Sequence, residues 1–181
     1  MKRSGPDDRP PSLLDPVTGL PNRRRFDSAI RIETRRAMRG QYYLSVMKAG
    51  IDEFESYVDS YGSGAGDRLL QAVAGALKGQ ARRIADFIAY VGAGEFYIML
   101  PMTGFEGALR VAQRMQGSVE ALQVKHDGNR ASNYATLSLG VTASQGQLGL
   151  SSSKLMSMAD EALYRARRAA GNKVVGHQDR V

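Results

Sequence analysis

Two short apolar runs separated by a few small residues constrain this chain more than any other feature. Residues 87–91 and 96–100 are rich in β-branched and aromatic side chains, and Gly92-Ala93-Gly94-Glu95 lies between them. Each run is long enough for a strand and too short for an independent helix. Glycines 92 and 94 permit positive φ and a tight reversal, and they leave backbone that something large can approach closely. The stretch predicts a β-hairpin over about residues 86–101 whose tip is a candidate binding surface. A plain hairpin turn is the blander alternative.

Helical and strand patterns bracket this hairpin. Phe26, Ile30, Thr34, Ala37 and Met38 recur at helical spacing after Asn22, a capping residue, and Gly40 closes the segment. Residues 42–49 read as a strand ended by Gly50-Ile51-Asp52, and residues 53–61 as a short helix. Residues 62–67, Gly-Ser-Gly-Ala-Gly-Asp, read as a glycine-rich loop before an amphipathic helix carrying Leu69, Leu70, Val73, Ala74 and Leu77. After the hairpin come a helix over 104–122, a polar loop over 125–133 and a buried strand over 134–143. A helix over 151–170 follows, with Ser153 as its candidate cap, and Lys173-Val174-Val175 forms a last short strand. Helices alternating with strands of both directions fit a ferredoxin-like or palm-type α/β sandwich better than an all-parallel sheet.

Composition narrows the chemistry. With 181 residues the chain is long enough for one domain with a real core. It has no cysteine and only His126 and His177, which excludes thiolate chemistry and weighs against a histidine metal cluster or triad. No apolar run approaches the ~20 residues of a membrane helix, and no signal peptide is recognisable, so the expected location is the cytoplasm. The net charge of +7 is uneven: Arg23, Arg24, Arg25, Arg31, Arg35, Arg36 and Arg39 crowd one segment, and Arg165, Arg167, Arg168 and Lys173 another. Such surfaces suit phosphates or an acidic partner, and a solvated helix face is the plainer reading of the first cluster. The aromatic interleaving of single-strand binders is missing, which weighs against nucleic acid.

Several stretches together resemble the GGDEF domains of diguanylate cyclases. Asp15-Pro16-Val17-Thr18-Gly19-Leu20-Pro21-Asn22-Arg23-Arg24 resembles that family's opening motif. Asp52-Glu53-Phe54, Asp59-Ser60-Tyr61-Gly62 and Gly66-Asp67 fall at its next elements, and Gly92-Ala93-Gly94-Glu95-Phe96 falls at its signature. Leu137-Ser138-Leu139-Gly140-Val141 and Ala159-Asp160-Glu161-Ala162-Leu163-Tyr164-Arg165-Ala166-Arg167 resemble its later strand and helix. The resemblance implies a palm-like α/β fold, a central mixed five-stranded sheet flanked by helices plus a β-hairpin. It places the domain over residues 13–176, between tails at 1–12 and 177–181. It also implies the family's reaction, the joining of two GTP into cyclic di-GMP by a homodimer using magnesium or manganese.

Departures from the family pattern fall on its chemistry. Metal-assisted phosphoryl transfer needs hard oxygen ligands, chiefly carboxylates. Gly50 and Gly94 stand where the resemblance implies two of them, leaving Asp52 and Glu95, so magnesium is not expected to be held. Val58 replaces a guanine-binding Asn and Glu55 a phosphate-facing Lys, while Asp67 and Arg167 keep vestigial GTP-binding positions. A late phosphate-side Arg has become Gly171. Gly50, Gly92, Ala93, Gly94 and Glu95 are therefore expected to be a silent catalytic site, with no cofactor.

One element is intact. Arg83-Ile84-Ala85-Asp86 stands five residues before Gly92, the spacing of the family's inhibitory site for cyclic di-GMP, and Arg114 falls at that site's further arginine. Arginine offers a planar fork of donors to a phosphate or a guanine edge, and aspartate accepts from guanine donors. The resulting expectation is a non-catalytic cyclic di-GMP receptor using Arg83, Asp86 and Arg114, with a signalling protein as partner and a ligand-linked homodimer as one assembly. A nucleotide-independent protein-interaction module is the alternative, and a weak cyclase the remote one.

Overall fold

The computed structural model describes residues 12–146, 149 and 151–177. The expected tails lie outside the described residues at 1–11 and 178–181; Ser12 at one end and His177 at the other are described. The elements are α1 (Arg23–Gly40), β1 (Tyr43–Ile51), α2 (Phe54–Tyr61), α3 (Ser63–Gln80), β2 (Phe87–Gly92), β3 (Glu95–Pro101), α4 (Phe105–Glu120), β4 (Leu137–Gln145), α5 (Ser152–Arg168) and β5 (Val174–His177). They build a five-stranded mixed sheet in the order β2-β3-β1-β4-β5, antiparallel throughout except for the β4–β5 pair.

Alternation along the central strands divides the core. Met47, Ala49 and Ile51 of β1 and Phe96, Ile98 and Leu100 of β3 face a cluster with Leu69, Val73 and Leu77 of α3 and Ala112, Met115 and Val119 of α4. Leu44 and Val46 of β1 and Tyr97 and Met99 of β3 face a second cluster with Phe26 and Ile30 of α1 and Leu155 and Ala159 of α5. The sheet is thus sandwiched between helix layers, which is the α/β architecture expected from the sequence.

Three local expectations change. β1 runs through Gly50 to Ile51, because Gly50 pairs with Glu95 on one side and Ser138 on the other. Residues 63–67 are helical rather than a loop: only Gly62, with φ +85°, breaks the chain, and Gly66 lets α3 approach α2, where an added Cβ would lie 2.8 Å from Val58. Ser151, not Ser153, caps α5, its side chain accepting from the Lys154 N–H. Asn22 caps α1 as expected, accepting from the Arg25 N–H.

Candidate functional site

The hairpin is a tight one. Ala93 and Gly94 form its two-residue loop with φ of +51° and +73°, both left-handed as a type I′ turn requires. At Gly94 the close approach is made from within the protein: an added Cβ would lie 2.7 Å from the Phe54 ring. Gly92 faces open space. The Gly94 carbonyl accepts from the Ile51 N–H at 3.0 Å, so the hairpin tip is tied to the end of β1.

Beside the hairpin lies an open cleft of about 1360 Å³, bordered by α2, Ala93, Glu95 and the end of α5. Its charged lining comprises Asp52, Glu53, Glu55, Asp59 and Glu95 against Arg130, Arg167 and Arg168. Gly50 carries no side chain, and a Cβ added there would fall within the guanidinium of Arg167. Arg167 Nη1 lies 2.7 Å from Glu95 Oε1, and Lys48 Nζ lies 3.0 Å from Glu95 Oε2. Burial pushes the Glu95 carboxyl up, but hydrogen bonds and charge from Lys48 and Arg167 outweigh it and hold the group below its usual range.

Asp52 is equally committed. It is buried, with Oδ2 accepting from Thr136 Oγ1 and the Asn172 N–H, and Oδ1 accepting from Ser138 Oγ. Asp52 and Glu95 are therefore both occupied by protein donors, and among the described residues no three His, Cys, Asp or Glu side chains converge. A divalent cation needs several free hard oxygens, and neither Asp52 nor Glu95 has one free in this arrangement. Val58 is turned against Gly66, Asp67 is exposed early in α3, and Glu55 is exposed in the first turn of α2.

Arg83 and Asp86 meet at the approach to β2. Asp86 Oδ2 accepts from the Arg83 N–H at 3.0 Å, and the Asp86 N–H donates to the Arg83 carbonyl at 3.1 Å. The exposed Arg83 guanidinium donates to Thr103 Oγ1 at 3.3 Å. Asp86 Oδ1 is shielded from solvent and has no hydrogen-bond partner. Arg114 is exposed on α4 and makes no hydrogen bond or ion pair to either residue.

Lys48, Tyr97 and Asp160 were not singled out by the sequence patterns. Lys48 sits in a strand run that reads as plain alternation, and its partners lie 47 residues or more away in the chain. The only signal was a charge in an otherwise buried strand.

Comparison with known proteins places these features. Residues 12–173 match the sequence family described as diguanylate cyclase, GGDEF domain. Diguanylate cyclase DgcP of Pseudomonas aeruginosa is 35% identical over 168 residues, which cover 93% of this chain and 24% of DgcP. Response regulator PleD of Caulobacter vibrioides is 32% identical over 165 residues, 91% of this chain and 36% of PleD. The chain thus spans about a quarter to a third of the length of these relatives. The crystal structure of the GGDEF domain of DgcB from Caulobacter crescentus in complex with c-di-GMP superposes with a TM-score of 0.83 at 25% identity, covering 97% of this chain and 98% of that one.

Proposed function

The chain belongs to the GGDEF family of diguanylate cyclase domains, and we propose that within it this domain is a cyclic di-GMP receptor without cyclase activity, acting in second-messenger signalling. The observation that carries the reading is the Arg83–Asp86 turn. One oxygen of Asp86 shapes the turn, while the other is shielded and lacks a partner. A buried acceptor without a donor is costly, and the N1 and N2 donors of a guanine would satisfy it once a shift of the exposed turn uncovers that oxygen. Among the described residues the Arg83 guanidinium has one long bond, to a threonine, which leaves its fork able to turn toward phosphate or base. The DgcB likeness supports this reading, because that GGDEF domain was crystallised with c-di-GMP.

Two features support the absence of catalysis. Gly50 and Gly94 offer no carboxylate, and the cleft lining carries more acid than base, which is unfavourable to a triphosphate. Calorimetric titration with cyclic di-GMP tests the receptor reading. Saturable binding is expected, with Arg83→Ala weakening it at least ~10-fold, equivalent to about 1.4 kcal/mol. No heat from the wild type overturns the reading. Incubation with GTP and manganese, followed by chromatography, is expected to give no cyclic di-GMP.

A second reading has its own observation. α1 carries seven arginines against Asp27 and Glu33, a net +5 of the chain's +7. Only Arg23 and Arg36 are paired with those acids, and arginines at the helix N-terminus oppose the macrodipole. A helix that carries this unfavourable charge suits an acidic protein partner. Capture of such a partner unaffected by Arg83→Ala and by cyclic di-GMP would favour a nucleotide-independent interaction module.

A further inference from the structure

Loss of two carboxylates would ordinarily leave a gap at the foot of the hairpin. Here the Arg167 guanidinium takes the space at Gly50 and the Phe54 ring the space at Gly94. Side chains alternate between faces along β1, so Lys48 and Gly50 lie on the same side, toward α1 and α5. Lys48 is only 7% exposed. Its Nζ lies 3.0 Å from Glu95 Oε2, 3.6 Å from Asp160 Oδ1 and 4.1 Å from the centre of the Tyr97 ring. Tyr97 donates its hydroxyl to the same Asp160 oxygen. Arg167 arrives from the end of α5, with one nitrogen on Glu95 Oε1 and its guanidinium in the volume that a side chain at Gly50 would need. Lys48 and Arg167 balance Glu95 and Asp160, a neutral set of four charges. Buried lysines are otherwise rare because an unpaired buried charge is strongly unfavourable.

We propose that Lys48 and Arg167 are the resident cations of this site, replacing divalent ions and holding the hairpin against β1 and α5 without any metal. The proposal rests on the non-catalytic reading above. Glu95 has each oxygen taken by a different cation, and Asp52 is spent on Thr136, Ser138 and the Asn172 N–H. A metal ion approaching Glu95 would meet two positive charges within a few ångströms, one of them on the buried Lys48, and be repelled. A carboxylate restored at position 50 would meet Arg167 first. Gly50, Lys48 and Arg167 therefore form one compensated set, and restoring a carboxylate at position 50 alone does not rebuild a metal site.

Manganese binding and thermal unfolding test this. Wild type and Gly50→Asp are both expected to show no saturable Mn2+ binding by calorimetry and no shift in Tm with Mn2+. The Lys48→Met/Gly50→Asp/Arg167→Gln variant is expected to have a lower Tm that Mn2+ raises saturably. If that variant does not fold, Gly50→Asp/Arg167→Gln is expected to show the same gain. Saturable Mn2+ binding by wild type or by Gly50→Asp overturns the proposal, as does a folded variant lacking Arg167 that ignores Mn2+. Cyclic di-GMP formed from GTP by wild type would instead overturn the non-catalytic reading, so the two failures are distinguishable.

Discussion

Asp52 accepts a hydrogen bond from the backbone N–H of Asn172 at 2.8 Å, across 120 residues of chain. Its carboxylate also takes the hydroxyls of Thr136 and Ser138, both at 2.7 Å, and is 4% exposed. One side chain thereby joins the end of β1, the start of β4 and the turn between α5 and β5. Gly171 makes room for it, since a Cβ there would lie 3.1 Å from the carboxyl group. Hydrogen bonds to a buried charged acceptor are worth more than neutral ones, so Asp52→Ala is expected to lower stability by roughly 3 kcal/mol in urea unfolding. An alanine variant as stable as wild type would show that the junction is held elsewhere.

Gly94 is expected to resist substitution for two separate reasons. Its φ of +73° is unfavourable to any side chain, and an added Cβ would lie 2.7–2.8 Å from three atoms of Phe54. Gly94→Ala is expected to be destabilising by about 2–4 kcal/mol, from left-handed strain plus overpacking. Combining it with Phe54→Ala removes only the second cause. The pair should therefore be less destabilising than the sum of the singles. Strict additivity would show that strain alone is responsible.

Gly140 sets the distance between the sheet and α5. A Cβ there would fall among backbone atoms of Ala159, Ala162 and Leu163, which cannot yield as a side-chain tip can. Gly140→Ala is expected to cost at least ~3 kcal/mol and to lower Tm markedly by circular dichroism. Because α5 also carries Asp160 and Arg167, its displacement would loosen their contacts with Lys48 and Glu95. An unchanged Tm would mean that α5 can shift without penalty.

The order of helices and strands was readable from the sequence because apolar spacing is a local property. The hairpin, the cap at Asn22 and the alternation on either side of the sheet all depend on neighbours a few residues apart. The glycine-rich run at 62–67 misled for a physical reason: Gly66 serves close helix packing against Val58 rather than a turn. The site was only half legible. Gly50 and Gly94 stand where the family resemblance implies carboxylates, but nothing local says that Arg167, 117 residues after Gly50, lies against that glycine. Lys48 was hidden for the same reason, since a buried lysine makes sense only beside Glu95 and Asp160, which the fold alone brings to it.

Glu95 gives the contacts at the hairpin a pH signature. Burial alone would raise its carboxyl, but Lys48 and Arg167 hold the folded-state value below the ordinary one. Between the folded and unfolded values the unfolded chain binds the extra proton, so stability rises with pH across that window. The contribution is present above the unfolded value near ~4.3 and is lost as pH falls through the lower folded value. Glu95→Gln is therefore expected to be less stable than wild type at neutral pH, with the gap closing as the medium is acidified below about pH 4. Added salt should narrow the neutral-pH gap only in part, because Lys48 is buried while Arg167 and Glu95 retain some solvent contact. Urea midpoints for both proteins across pH 3–8 would measure this. A gap that stayed constant down the acid limb would assign the loss to packing at Glu95 rather than to its charge.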